Sequence, residues 1–172
     1  MDSFKDLWDS HPSVRNEGFP CHDYSYDAFV INKCAVELGT AMARCGIDTG
    51  AFPHAVYCIH HDVSQGHVLS AAGLAKGLSE YPVNGIQRKR TLGPETFPTI
   101  LQGQCGIVFI KACIEIDGQI IRNRNKDIID LWNINRFAFT KSQNALNELL
   151  KPALHKNRME GDNSSNLWFW KC

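Results

Sequence analysis

The fold of this chain is decided by residues 32–42, which read NKCAVELGTAM. Their apolar positions, Val36 and Met42 among them, recur at the spacing of one helix face, which predicts a helix. Asn32 is a suitable N-cap, so Cys34 is expected in the first turn. Unpaired backbone N–H groups and the helix dipole favour an anion there, and a thiolate is such an anion. The alternative is that Cys34 is a small buried hydrophobe, as free cysteines often are.

Length and charge limit the classes of protein to consider. The 172 residues predict a single domain over 1–172, long enough to build a core without a metal or a disulfide. The 18 Lys and Arg residues balance the 18 Asp and Glu residues, which argues against binding to nucleic acid or to an anionic membrane. No apolar run has the length of a signal peptide or a membrane span, so we expect synthesis in the cytoplasm and, where needed, export by another machine.

The cysteines and histidines of this chain are its candidate metal ligands. The chain has 7 cysteines, and no close pair has the spacing of a zinc ribbon. Residues 47–67 are predicted to be irregular, and they contain a group of four histidines: His54, His60, His61 and His67. Adjacent side chains diverge, and loop histidines are mostly solvated. The sequence therefore predicts no metal site and no cofactor.

Helical patterns come before strand patterns along the chain. Helices are predicted before Pro12, from residue 33 to about Arg44, and within 68–78. Loops are predicted over 13–31 and 82–104. Strands are predicted at 106–110, which is buried, and at 127–132 and 167–170, with a hairpin at 114–121 that turns at Asp117-Gly118. A helix is predicted at 142–150 and a polar segment at 155–166. This order predicts an α+β chain. A cysteine on a leading helix that faces a later sheet is the arrangement of papain-like cysteine hydrolases.

Short segments spread along nearly the whole chain resemble the type VI secretion amidase effectors of family four. These segments are residues 4–8, 32–39, 46–48, 67–69, 73–75, 106–109, 129–133 and 168–170. The resemblance implies a papain-like (NlpC/P60-like) cysteine hydrolase fold, in which N-terminal helices pack on an antiparallel sheet.

The resemblance also implies a function. Members of that family are injected into rival bacteria, where they cut the bond between D-glutamate and meso-diaminopimelate in peptidoglycan stem peptides. Dedicated immunity proteins protect the producer. The expected partners are therefore a stem peptide or another ligand of the cleft, and an immunity protein. The expected place of action is the periplasm of a target cell.

Only some of the catalytic residues of that family have a counterpart in this sequence. Cys34 takes the place of the nucleophile, and we expect it to be partly exposed in the cleft and the most reactive of the cysteines. The family's histidine stands immediately before an Ile-Asp-Leu-Trp-Asn segment, where this chain has Ile128. The family's orienting aspartate follows about ten residues later, whereas residues 131–161 contain no aspartate. The same segment is expected to line the substrate cleft with Asp130, Trp132 and Asn133.

Three functions follow from this departure. A thiol with a pKa of about 8.5 is only a few per cent thiolate at neutral pH, and loss of a general base costs about 10²–10⁴-fold in rate. The first possibility is an impaired amidase in which His60 or His61 is a substitute base. The second is a pseudoenzyme that binds a cell-wall peptide or a protein. The third is a papain-like enzyme that acts on another substrate, such as a deamidase or transferase. We favour the pseudoenzyme, because a new base needs its own orienting group.

Overall fold

The computed structural model describes residues 4–21, 31–93, 96–116, 119–122, 126–139 and 167–172. The predicted turn at Asp117-Gly118, the predicted helix at 142–150 and the polar segment at 155–166 lie outside these residues. The described helices are α1 (Phe4–Asp9), α2 (Lys33–Arg44), α3 (Ala71–Glu80) and α4 (Phe97–Leu101), with 3₁₀ turns at Thr49–Ala51 and Val63–Gln65. Within the described ranges, none of these helices has the length and apolar character needed to cross a membrane.

Helix α2 forms as its sequence predicts. The Oδ1 atom of Asn32 accepts a hydrogen bond from the backbone N–H of Ala35 at 3.0 Å, which confirms Asn32 as the N-cap. The helix ends at Arg44, and Gly46 follows with φ of 74°, a conformation that glycine adopts at little cost. Residues 35–42 are buried along the helix. The helix is therefore held from both ends and from its inner face.

An antiparallel sheet forms the second half of the fold. Its strands are β1 (Arg90–Leu92), β2 (Cys105–Ile110), β5 (Ile128–Asn133), β6 (Arg136–Phe137) and β7 (Leu167–Lys171). They lie in the order β1-β7-β2-β5-β6, and each described pairing is antiparallel. A separate hairpin pairs β3 (Cys113–Ile116) with β4 (Gln119–Arg122). The α+β class and the four longer predicted strand regions are confirmed.

The prediction of a continuous loop over 82–104 is wrong. That segment contains β1 and α4, which have 3 and 5 residues. Elements this short show too few turns or alternations for a periodic pattern to be recognised. Strand β6, with 2 residues, was missed for the same reason.

Both faces of the central strands are buried. On one face, Ile107 and Ile129 pack with Leu38 and Met42 of α2 and with Leu74 of α3. On the other face, a second cluster includes Leu92 of β1 and Phe97 of α4, together with Val108, Ile110, Ile128 and Trp132. Strands covered on both faces read as nearly continuous apolar runs. This explains why β2 and β5 lack a polar side.

A buried ion pair joins the N-terminal segment to β5. The Nε2 atom of His11 lies 2.9 Å from Oδ1 of Asp130, and both side chains are fully buried. Asp130 also accepts hydrogen bonds from the backbone N–H groups of Leu131 at 2.7 Å and Phe139 at 3.0 Å. Burial acts to lower the pKa of His11, but the Asp130 carboxylate, helped by Glu37, outweighs it and leaves that pKa raised.

Replacing His11 by Asn should destabilise the protein most strongly at mildly acidic pH. Breaking a buried ion pair costs about 3–5 kcal/mol. Because the folded-state pKa of His11 is raised, its stabilisation is fully present below the ordinary pKa of about 6.5 and is lost as the pH rises through the folded value. Urea unfolding at pH 6 and pH 9 measures the difference.

The matched control is His54→Asn, since His54 is exposed and lies 3.4 Å from Glu80. An exposed ion pair contributes about 0–1 kcal/mol. If His11→Asn lowered the free energy of unfolding no more than this control does, or by the same amount at both pH values, the stabilising role of the buried pair would be contradicted.

Candidate active site

Asn32 positions Cys34 against the sheet. Cys34 is the second residue of α2, and the Asn32 side chain that caps this helix also reaches the residue before β5. Its Nδ2 atom donates a hydrogen bond to the backbone carbonyl of Asp127 at 2.6 Å. Asp127 directly precedes Ile128, so one side chain ties the start of the helix to the start of the strand. The sequence predicts that Cys34 lies near Ile128, and Cys34 packs against the apolar cluster to which Ile128 belongs.

Cys34 packs against apolar side chains of the sheet. Cys34 is partly buried and packs against the second cluster, to which Ile128 and Trp132 belong. Phe139 and Ile100 pack against the same cluster. Within the described part of the chain, no hydrogen bond joins Cys34 to a histidine. Ile128, where the sequence resemblance predicts the family's base, is an alkyl side chain within this cluster.

The electrostatic environment opposes ionisation of Cys34. Burial is the largest cause and raises the pKa of the Cys34 thiol well above its usual range, and the carboxylates of Asp130 and Glu37 raise it further. The Lys33 ammonium and the backbone N–H group at the start of the helix lower the pKa only in part. The helix start alone predicts a stabilised thiolate, whereas the whole environment favours the neutral thiol.

The three residues that are predicted to line the cleft make contacts that hold the sheet to its neighbours. Asp130 is fully buried in its pair with His11. Trp132 is buried, and its Nε1 atom donates to the carbonyl of Leu101 at 3.0 Å. Asn133 is half-buried, and its Oδ1 atom accepts from the Cys105 thiol at 3.5 Å. These contacts join β5 to the chain before it and to β2.

The two histidines expected as substitute bases lie elsewhere. His61 lines a cavity of about 580 Å³ beside Thr40 and Arg44, in the C-terminal half of α2. Arg44 is ten residues beyond Cys34, a distance of about 15 Å along a helix. His60 is exposed on the same loop. The structure does not bring either imidazole to Cys34.

Sequence reasoning missed two groupings. His11 and Asp130 are far apart in the sequence, and nothing in the local pattern pairs them. Cys21, Cys58 and His61 lie together, with their ligand atoms all within 4.8 Å of one another. Cys58 and His61 have two residues between them, a spacing that can indicate a shared metal ion. Cys21 is far from both in the sequence, so the sequence alone does not show that the three residues lie together.

The fold and the site together define a class: an α+β domain with a cysteine in the first turn of a buried helix that packs on an antiparallel sheet. The profile of the family described as type VI secretion system (T6SS), amidase effector protein 4, matches residues 30–170. This range is most of the chain, so the chain belongs to that family, and the resemblance seen in the sequence is confirmed. No curated protein matches the chain.

Replacing Glu37 by Gln should make Cys34 more reactive. The change removes one of the two carboxylates that raise the thiol pKa, and the amide oxygen can still accept the hydrogen bond that Ser13 donates at 3.0 Å. Each pKa unit lowered gives about tenfold more thiolate. The rate of iodoacetamide modification of the Cys34 peptide at pH 8, followed by mass spectrometry, should rise several-fold.

The control is Glu80→Gln, which removes a carboxylate at the exposed end of α3. Its rate should equal the wild-type rate. Equal rates in all three proteins would show that the carboxylate at Glu37 does not act on Cys34.

Proposed function

We propose that this chain is an impaired type VI secretion amidase effector. It holds a peptidoglycan stem peptide beside Cys34 and cleaves its D-glutamyl–diaminopimelate bond far more slowly than an intact family member, or not at all. The observation that carries this proposal is that Cys34 packs against an apolar cluster that includes Ile128, the residue at which the family resemblance predicts the catalytic histidine.

The chemistry of amide hydrolysis explains the impairment. The Cys34 sulfur must lose its proton to attack the carbonyl carbon, and the departing nitrogen must receive a proton when the C–N bond breaks. One imidazole performs both transfers in a cysteine hydrolase. The alkyl side chain of Ile128 performs neither, and burial keeps the Cys34 proton on sulfur.

Neighbouring groups do not supply the missing function. The Asp130 carboxylate already pairs with His11 and accepts two backbone hydrogen bonds, so it is not available as a base. Phe139, which stands eleven residues after Ile128 near the expected place of the orienting aspartate, packs on Phe137 with ring centroids 5.4 Å apart. An imidazole placed at residue 128 would find an aromatic ring there instead of an orienting carboxylate.

The remaining parts of the proposal rest on family membership. They are a single papain-like domain over 1–172, delivery through the type VI secretion system into the periplasm of a target cell, and neutralisation by an immunity protein. An effector that retains binding and loses cleavage is a pseudoenzyme. The raised pKa of Cys34 favours the pseudoenzyme over the slow amidase. In the pseudoenzyme, a cell-wall peptide or a protein occupies the cleft without reaction.

Purified protein should release little or no muropeptide from peptidoglycan when compared with an intact member of the family. Any residual release should disappear in Cys34→Ala, because Cys34 is the nucleophile of the proposed slow reaction. Ile128→His should restore little activity, since nothing fixes its tautomer and angle. Ile128→His combined with Phe139→Asp should restore more, and Ile128→Leu is the control for disturbance of the cluster.

Robust release by the wild-type chain that disappears in Cys34→Ala would overturn the proposal. In that case the base comes from elsewhere, and alanine substitutions at His60 and His61 should find it. Chromatographic quantification of the released fragments provides the readout.

A further inference from the structure

Three metal-ligating side chains meet on the far side of α2 from the Cys34 cluster. The Sγ atoms of Cys21 and Cys58 are 3.8 Å apart, and Sγ of Cys58 is 3.1 Å from Nδ1 of His61. Both cysteines are buried, with 3% and 4% of their surface exposed, and His61 is half-buried at the edge. We propose that Cys21, Cys58 and His61 bind a zinc-class divalent ion.

The distance between the two sulfurs fits tetrahedral coordination. Two thiolates at about 2.3 Å from a tetrahedral zinc ion are about 3.8 Å apart. A disulfide requires about 2.05 Å. A sulfur and a nitrogen on the same ion are separated by about 3.6 Å, so a small rotation of the half-buried imidazole brings His61 into position.

Two of the three ligands, Cys58 and His61, lie on a loop that backbone hydrogen bonds hold together. The backbone N–H of Cys58 donates to the carbonyl of His67 at 3.0 Å, and the N–H of Leu69 donates to the carbonyl of Val56 at 2.7 Å. The loop lies so close to α2 that a Cβ atom added to Gly39 would be 2.2 Å from the carbonyl oxygen of Gly66. The loop therefore holds Cys58 and His61 in place before any ion binds.

The chemistry of the donors selects the ion. Thiolate and imidazole ligands favour zinc over magnesium and calcium, which prefer oxygen. Two thiols must lose their protons on binding, so affinity falls as the pH is lowered. Three protein ligands leave a fourth position for water or another ligand, and His61 also lines the neighbouring cavity. The bound ion would link Cys21, in the segment before α2, to the loop after it.

Cobalt provides the direct test. The full chain, without a histidine tag, is reduced, freed of metal and titrated with Co²⁺. We expect one equivalent to produce a thiolate-to-cobalt charge-transfer band and the visible bands of tetrahedral cobalt, and Zn²⁺ to remove both. Loss of a supporting contact to a metal ligand costs about 10–100-fold in affinity, so Cys21→Ser, Cys58→Ser and His61→Gln should weaken binding at least that much.

The controls are His60→Gln, on the adjacent histidine, and Cys105→Ser, on a thiol of β2; both should bind cobalt like the wild type. If a cysteine variant fails to fold by circular dichroism, His61→Gln still tests the site, because its side chain is half-buried. No tetrahedral bands in the reduced wild type would overturn the proposal. So would equal weakening in His60→Gln and His61→Gln, or a Cys21–Cys58 disulfide in a chain whose reduced form binds no metal.

Discussion

The two hydrogen bonds made by the Asn32 side chain determine where the candidate nucleophile lies. Its carbonyl oxygen caps α2, and its amide nitrogen donates to the Asp127 carbonyl at the start of β5. The start of the helix, which holds Cys34, is thereby joined to the residue before Ile128, nearly a hundred residues later in the sequence. The packing of α2 on the sheet and the buried pair of His11 with Asp130 hold the same junction from two further sides.

Two opposing effects act on the Cys34 thiol, and their sizes decide which prevails. A helix terminus stabilises a charge by about 0.3–1 kcal/mol, and by up to about 2 kcal/mol when partly buried, which is little more than one pKa unit. Burial shifts a pKa by up to about 3–5 units. In active cysteine hydrolases an imidazole offsets this cost by forming an ion pair with the thiolate. Within the described residues no hydrogen bond joins Cys34 to a histidine, and burial is the largest effect on its pKa.

The sequence predicts the parts of the fold that carry a local signal. The N-cap and apolar face of α2 and the long apolar runs of β2, β5 and β7 are of this kind. Strand β1 and helix α4 are too short for such a signal. The pairing of His11 with Asp130, and of Cys21 with Cys58, depends on contacts between distant segments, which no periodicity records. The family resemblance at residues 129–133 predicts the catalytic histidine at the position of Ile128, whereas the packing of Cys34 against the apolar cluster required the structure.

The most direct measurement of the central claim is the ionisation of Cys34 itself. The ultraviolet absorbance of thiolate is recorded across pH for the wild type and for Cys34→Ala, and the difference between them is assigned to Cys34. We predict that this difference appears only above the ordinary thiol pKa of about 8.5. A difference already complete near neutral pH, as for a cysteine paired with an imidazolium, would contradict the account and would require a base that acts on Cys34.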